Sequence, residues 1–538
     1  MNSQKIGFKR VRLAVVVAVA AGLTLAGCGG GNDAASGSLT IGTTEKITSL
    51  DPAGSYDNGS FAVMNQVYPF LLNTPYGSPD VEPDIAESAE FTSDTEYTVK
   101  LKEGLKFANG NDLTASDVKF TFDRQIAIAD ENGPSSLLYN LESVTVADEL
   151  TAVFKLKSAN DQIFAKILSS PAGPIVDEEV FPADAILSDD EIVAAKPFAG
   201  QYTIESYKLN ELVSYKVYDG YQGLLGAAKT ETINVKYYAD SSNLKLDIQE
   251  GKIDVANRTL SATDVADLRE RDGVEVIDGP GGEIRYLVFN FRTQPYGSET
   301  AEADPAKALA VRQAIAHLID RDTISEDVYK GTFTPLYSYV PSGLTGATES
   351  LKELYGDGNG KPDAAKAKET LEAAGITGPV DIAIQYVAER YGPSSSEEYA
   401  VIKDNLESSG LFKVDLQSTE WVQYSEERVD AYPAYQLGWF PDYSDADNYL
   451  TPFFLKENFL SNGFADDAVN AALLEQAVTG DPAARTALIE EIQDKVAAQL
   501  STIPYMQGAQ LAVVVEGVKG VEDTLDASFK FRYAALSK

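Results

Sequence analysis

Two residue types that usually carry chemistry occur once each in this 538-residue chain, as Cys28 and His317. A single thiol and a single imidazole cannot build a Cys/His metal cluster. Nucleophile–base pairs that rely on histidine have only one residue to draw on. His317 lies in Val311-Arg312-Gln313-Ala314-Ile315-Ala316-His317-Leu318-Ile319, an apolar helical run in which a lone histidine is a structural residue. The patterns HExxH, GxSxG and GxxxxGK[ST] are absent. Asp357-Gly358-Asn359-Gly360-Lys361 begins like a calcium loop, but Pro362 takes the place of the turn glycine and no glutamate closes it. A loop ending in a helix cap at Asp363 fits these residues better. The chain is expected to bind rather than to catalyse, with no metal and no cofactor.

Cys28 points to another use. Lys5, Lys9, Arg10 and Arg12 precede an apolar run from Leu13 to Leu25, broken only by Gly22 and Thr24. The run ends in Leu25-Ala26-Gly27-Cys28. A basic stretch, an apolar stretch and small residues mark a secretory signal peptide over 1–27. The run falls short of the roughly 20 apolar residues a membrane span needs. A cysteine directly after the cut resembles a bacterial lipobox, which implies that Cys28 is lipidated and becomes the mature N-terminus. Residues 28–38 are rich in Gly, Ser and Ala and read as a flexible tether. The body is therefore expected outside the cytoplasm, anchored to the cell membrane through that lipid alone.

Composition bounds what the body can be. With 44% hydrophobic residues, a chain of this length buries more than one core. Its net charge of −38 disfavours nucleic acid and anionic membrane surfaces as partners. Period-two alternation predicts strands at 97–102, 152–157, 233–238 and 380–386. Helices are predicted over Thr114–Arg124, Lys307–Ile319, Asp363–Ala374 and Pro482–Leu500, the first opening on the capping-box pattern Thr114-Ala115-Ser116-Asp117. Strands interspersed with helices over this length give an α/β protein of two lobes.

Several motifs, in order, resemble the large extracytoplasmic solute-binding proteins of ABC importers, family 5, the oligopeptide, dipeptide and nickel class. They include Ser49-Leu50-Asp51-Pro52-Ala53 and Pro83-Asp84-Ile85-Ala86-Glu87-Ser88. The most specific stretch runs from Leu101 through Gly110 and on from Leu113 to Phe120. Gln249-Glu250-Gly251-Lys252-Ile253-Asp254 matches a turn, and Val311-Arg312-Gln313-Ala314-Ile315 with Ile319-Asp320-Arg321 matches a helix. Pro69, Ala199 and Gln201 depart from the family pattern. The resemblance implies a two-lobed periplasmic-binding-protein type II fold with an additional domain on the first lobe. Lobe I is expected at 39–54, 196–285 and 505–538, the additional domain at 55–195, and lobe II at 286–504.

The same resemblance implies a ligand site at Gly438-Trp439-Phe440-Pro441-Asp442-Tyr443-Ser444-Asp445. Asp442 falls on the aspartate that pairs with a peptide's α-amine, and Asp445 and Asp447 compete for that role. Trp439, Tyr443 and Trp421 are expected to line the site. Gly438 and Phe440 would offer backbone groups to an extended peptide. Arg428 roughly matches an arginine that reaches a peptide C-terminus, whereas Gln436 stands where the oligopeptide binder has another. The implied function is capture of short peptides in a closing cleft and delivery to ABC permease subunits with their ATPases, by a monomer. The alternative is the same fold with another cargo: a metal chelate, haem, glutathione or an oligosaccharide. Bare nickel is disfavoured by the single histidine.

Overall fold

The computed structural model describes residues 37–538 apart from Thr259, Pro393 and Phe529. The expected signal segment and Cys28 lie outside the described residues. Thr114 starts the helix Ala115–Ile128 with a reciprocal cap: its hydroxyl accepts from Ser116 N, and Asp117 accepts from Thr114 N at 2.8 Å. The other predicted helices are observed as Pro305–Leu318, Ala364–Ala373 and Pro482–Gln499, each entered through an aspartate cap. Asp363 is the cap of the third, accepting from Ala365 N and Lys366 N. Asp357 accepts from Asn359 N and Lys361 N, so the calcium-like stretch is a self-bonded turn. His317 is buried, and its Nδ1 accepts from Gly356 N at 2.9 Å.

Three principal sheets each back onto their own apolar core. A seven-stranded mixed sheet centres on Ser38–Thr43, which runs parallel to Thr232–Tyr237 and Val255–Asn257. A four-stranded antiparallel sheet is formed by Ala86–Ser93, Glu96–Leu101, Thr151–Leu156 and Leu141–Asp148. A six-stranded mixed sheet has the order Phe333–Pro335, Thr502–Gly508, Ile284–Phe289, Ala434–Trp439, Val380–Tyr386, Phe412–Ser418. Ile284–Phe289 and Thr502–Gly508 are buried along their whole length, as central strands covered on both faces must be.

The chain passes between the seven- and six-stranded sheets through 280–283 and through Ala509. At this crossing backbone touches backbone. A Cβ on Gly281 would stand 2.0 Å from the Gly508 carbonyl oxygen. Gly508 N donates to Glu283 O at 2.8 Å, and Gln507 Nε2 to Gly281 O at 2.8 Å. Residues 284–285 and 505–508, expected with lobe I, are therefore strands of the six-stranded sheet. The apolar pattern runs unbroken through both crossings, so it carries no mark of the change of sheet.

The additional sheet is tied to the first strand's neighbourhood by a buried ion pair. Arg124 donates through NH1 and NH2 to the two oxygens of Asp51 at 2.8 and 2.6 Å, both side chains being fully enclosed. Asp51 also accepts from Ala53 N and Leu187 N. Such a pair holds its geometry only when its remaining lone pairs are satisfied, as they are here.

Candidate functional site

Strand Ala434–Trp439 delivers its last residues to the edge of the six-stranded sheet, and helix Asp447–Phe454 begins eight residues on. The intervening turn is organised by Asn448. Its Oδ1 accepts from Trp439 Nε1 at 3.0 Å and from Asp442 N at 2.9 Å, and its Nδ2 donates to Asp442 Oδ2 at 3.2 Å. Tyr449 OH, on the same helix turn, donates to Gly282 O at 2.6 Å. The turn is thereby fixed to the crossing between sheets.

The three aspartates of this stretch have different surroundings. Asp445 forms a two-pronged ion pair with Arg485, at 2.9 and 2.6 Å. Asp447 is buried and accepts from Thr451, Gln476 and Tyr443. Asp442 takes a hydrogen bond from another lobe: Tyr56, in the segment before helix Asn58–Val67, donates its hydroxyl to Asp442 Oδ1. Burial raises the Asp442 carboxyl above its ordinary range, while the donors Tyr56 and Asn448 pull it back. Burial and the adjacent carboxylate raise the Tyr56 hydroxyl in turn.

Further contacts cross the same seam. The Arg258 guanidinium lies 5.9 Å from the Phe440 ring centre and pairs with Glu45 at 2.9 Å. Arg258 holds a left-handed backbone at φ 63°, a conformation that costs a non-glycine residue energy and clusters at functional sites. A cavity beside it is lined by Glu45, Asn58, Asn65, Gln510 and Phe531. Tyr443 packs against the core of the four-stranded domain, and Gln162 N donates to Ala477 O at 2.9 Å. The lobes thus touch along a seam that includes Asp442 and Phe440.

The other expected residues divide. Trp439 packs edge-on to Phe453 with ring centres 5.0 Å apart. Trp421 stacks on Tyr424 and meets Tyr391 edge-on, with the Arg390 guanidinium 5.0 Å from its ring centre. Gly438 pairs in register with Arg285, and a Cβ there would fall 2.4 Å from Arg285 NH1. Arg428 is buried, with NH1 on the Leu460 carbonyl at 3.2 Å and Phe459 beneath it. Gln436 is fully buried and donates to Ser395 Oγ and Glu398 Oε2, both at 3.0 Å. Sequence reading missed Tyr56, Asn448, Arg258 and Arg390. The first three join the site only through folding, and Arg390 has no motif around it.

Among the described residues no group of His, Cys, Asp and Glu is arranged to hold a metal ion. No described helix is long and apolar enough to cross a membrane.

Comparison with known proteins agrees with this architecture. Residues 80–461 match bacterial extracellular solute-binding proteins, family 5 Middle. The chain is 25% identical over 509 residues to heme-binding protein A of Haemophilus influenzae, covering 89% of this chain and 88% of that one. It is 24% identical over 423 residues to the dipeptide-binding protein of Escherichia coli K12, covering 74% of each. A solved structure of the Helicobacter pylori periplasmic binding protein DppA, in complex with the peptide STSA, superposes with a TM-score of 0.71 at 20% identity. It covers 94% of this chain and 98% of its own. The fold is that of type II periplasmic binding proteins, and family and fold are those of substrate-binding transport proteins. The chain belongs to the bacterial extracellular solute-binding proteins, family 5.

Proposed function

We propose that this chain is the lipid-anchored binding component of an ABC importer, that it captures short peptides between its lobes, and that it hands them to the membrane permease. The observation that carries the reading is Asp442. It is a carboxylate at the seam of two lobes, held by Asn448 and Tyr56, and no cationic side chain among the described residues forms an ion pair with it. A closed cleft excludes water, so an ammonium placed there needs a charged partner. The α-amine of a peptide supplies such a cation. Aromatic walls from Trp439 and Trp421 accept varied side chains at little entropic cost.

Thermal melting of the refolded protein against pools of two- to six-residue peptides tests this. Free-amine peptides should raise the melting temperature, and the shift should vanish on N-acetylation or in Asp442→Asn. No shift with any pool would remove short peptides. Haem, the ligand named for the Haemophilus relative, would then be the first alternative cargo, with chelates, glutathione and sugars after it.

A further inference from the structure

The four-stranded domain meets lobe II at a loop whose shape is fixed in advance. Asn140 and Asp161 are buried, and Asn140 Nδ2 donates to Asp161 Oδ2 at 2.6 Å. Asn140 Oδ1 accepts from Ser158 N, and Asp161 Oδ1 from Ile163 N, both at 2.8 Å. Asn160 holds a left-handed backbone at φ 54°, which asparagine tolerates better than most residues, and its N–H donates to Asp94 O at 2.6 Å. The loop 158–162 so held presents the backbone N–H of Gln162, which donates to Ala477 O of lobe II at 2.9 Å.

Lobe II fixes its own side through Asp445 and Asp447. Gln476 is fully buried; its amide donates to Asp447 and accepts from Arg485 NH2 at 3.0 Å, while Arg485 is clamped on Asp445. The Gln476 carbonyl also accepts from Arg485 Nε at 3.2 Å. The residue before Ala477 is thus held by both side chain and backbone. Asp447 accepts in addition from the Tyr443 hydroxyl at 3.0 Å, and Tyr443 packs against the core of the four-stranded domain. One buried network in lobe II therefore sets both contacts with that domain. A contact made in the closed arrangement and lost in an open one shifts the balance between them, whatever lies between the lobes.

We infer that the four-stranded domain is a second jaw of the clamp: lobe II closes onto loop 158–162 and onto the seat of Tyr443, so that closure is stabilised by a contact outside the reach of the cargo. This does not depend on the cargo being a peptide. Asp445, Asp447, Gln476 and Arg485 are positioning residues in this scheme. Tyr443 serves closure in place of the lining role its motif suggests.

Small-angle scattering from the ligand-free full chain, followed by calorimetry with individual tripeptides, tests the assignment. Gly480 is exposed, and a Cβ there would meet only Gln162 Nε2, at 3.8 Å. Gly480→Trp should therefore wedge the contact apart without entering either core, and Gln162→Pro should delete the donor. Both variants should scatter as more extended particles than the wild type before any cargo is added. Tripeptide affinity should fall by about ten-fold, as for the loss of one hydrogen bond, and by the same factor for every peptide. Scattering unchanged in both variants overturns the assignment, whichever cargo the protein carries. A penalty that differs from peptide to peptide also overturns it, because the contact would then belong to the cargo site. If the wild type binds no tripeptide, the peptide reading falls and the scattering comparison alone decides this one.

Discussion

The hydroxyl of Tyr56 donates to the carboxylate of Asp442 across 386 residues of sequence, joining a segment outside the six-stranded sheet to the turn that ends its central strand. On the proposed reading of Asp442, cargo binding and this contact between lobes share one oxygen atom. Tyr56→Phe should weaken binding of free-amine peptides by about ten-fold, the loss of one hydrogen bond to a charged group. Asp442→Asn should cost on the order of 2–5 kcal/mol, since it leaves a cation unpaired. Calorimetry on both variants checks the order, and an unaltered affinity in Asp442→Asn would remove the amine reading.

Glu398 gives a pH dependence of stability. Burial raises its carboxyl from the ordinary 4.5 to about 7 against the opposing pull of Arg285. The folded protein thus keeps this proton where the unfolded chain releases it. Stability should be highest below about pH 4.5 as far as this group is concerned, fall as pH rises, and level off above about 7. Urea midpoints from pH 5 to 8 should show that fall, and Glu398→Gln should reduce its slope. A steeper slope in the variant would reverse the assignment.

Asp442 gives a pH dependence of binding with the opposite sense. On the proposed reading the ionised carboxylate holds the amine of the cargo, and burial raises that carboxyl. Affinity for free-amine peptides should therefore fall on acidification at a pH above the ordinary carboxylate value of 3.8. N-acetylated peptides should lack this dependence in the same titration.

The Asp51–Arg124 pair should hold the additional domain in place. Asp51→Ala leaves a buried guanidinium uncompensated, a loss of about 3–5 kcal/mol. Proteolysis should then release fragments from the region of the four-stranded sheet before the six-stranded core is cut. Simultaneous loss of both would place the pair elsewhere in the energetics.

Cys28→Ser tests the anchor. The variant should appear in the soluble extracytoplasmic fraction, while wild type stays with membranes. A variant that remains membrane-bound would exclude lipidation at this residue as the anchor.

Local features were legible in the sequence to the extent that their causes are local. The capping box at Thr114, the aspartate cap at Asp363 and the alternating strands all depend on residues a few positions apart. The turn after Gly438 was found through its motif. The different surroundings of Asp442, Asp445 and Asp447 were not legible, because Tyr56, Arg485 and Gln476 reach them from distant parts of the chain. The same holds for Arg428: its sequence position resembles a ligand contact, and only Phe459 and Leu460 show its guanidinium turned into the protein. The crossing at Gly281 and Gly508 escaped notice because two short glycine segments, unremarkable singly, come into backbone contact only in the fold.

Gln436 fastens Val387 and Ser395 to the strand below, and Arg285 and Gly438 hold Tyr391, between them in sequence, to the same sheet. In evolutionary terms that ties this stretch to the strand below: a change at Tyr391 would be felt at Gly438 and Arg285. A lineage inheriting this scaffold would have room to vary at the exposed Arg390 before it could vary at the buried Tyr391 beside it.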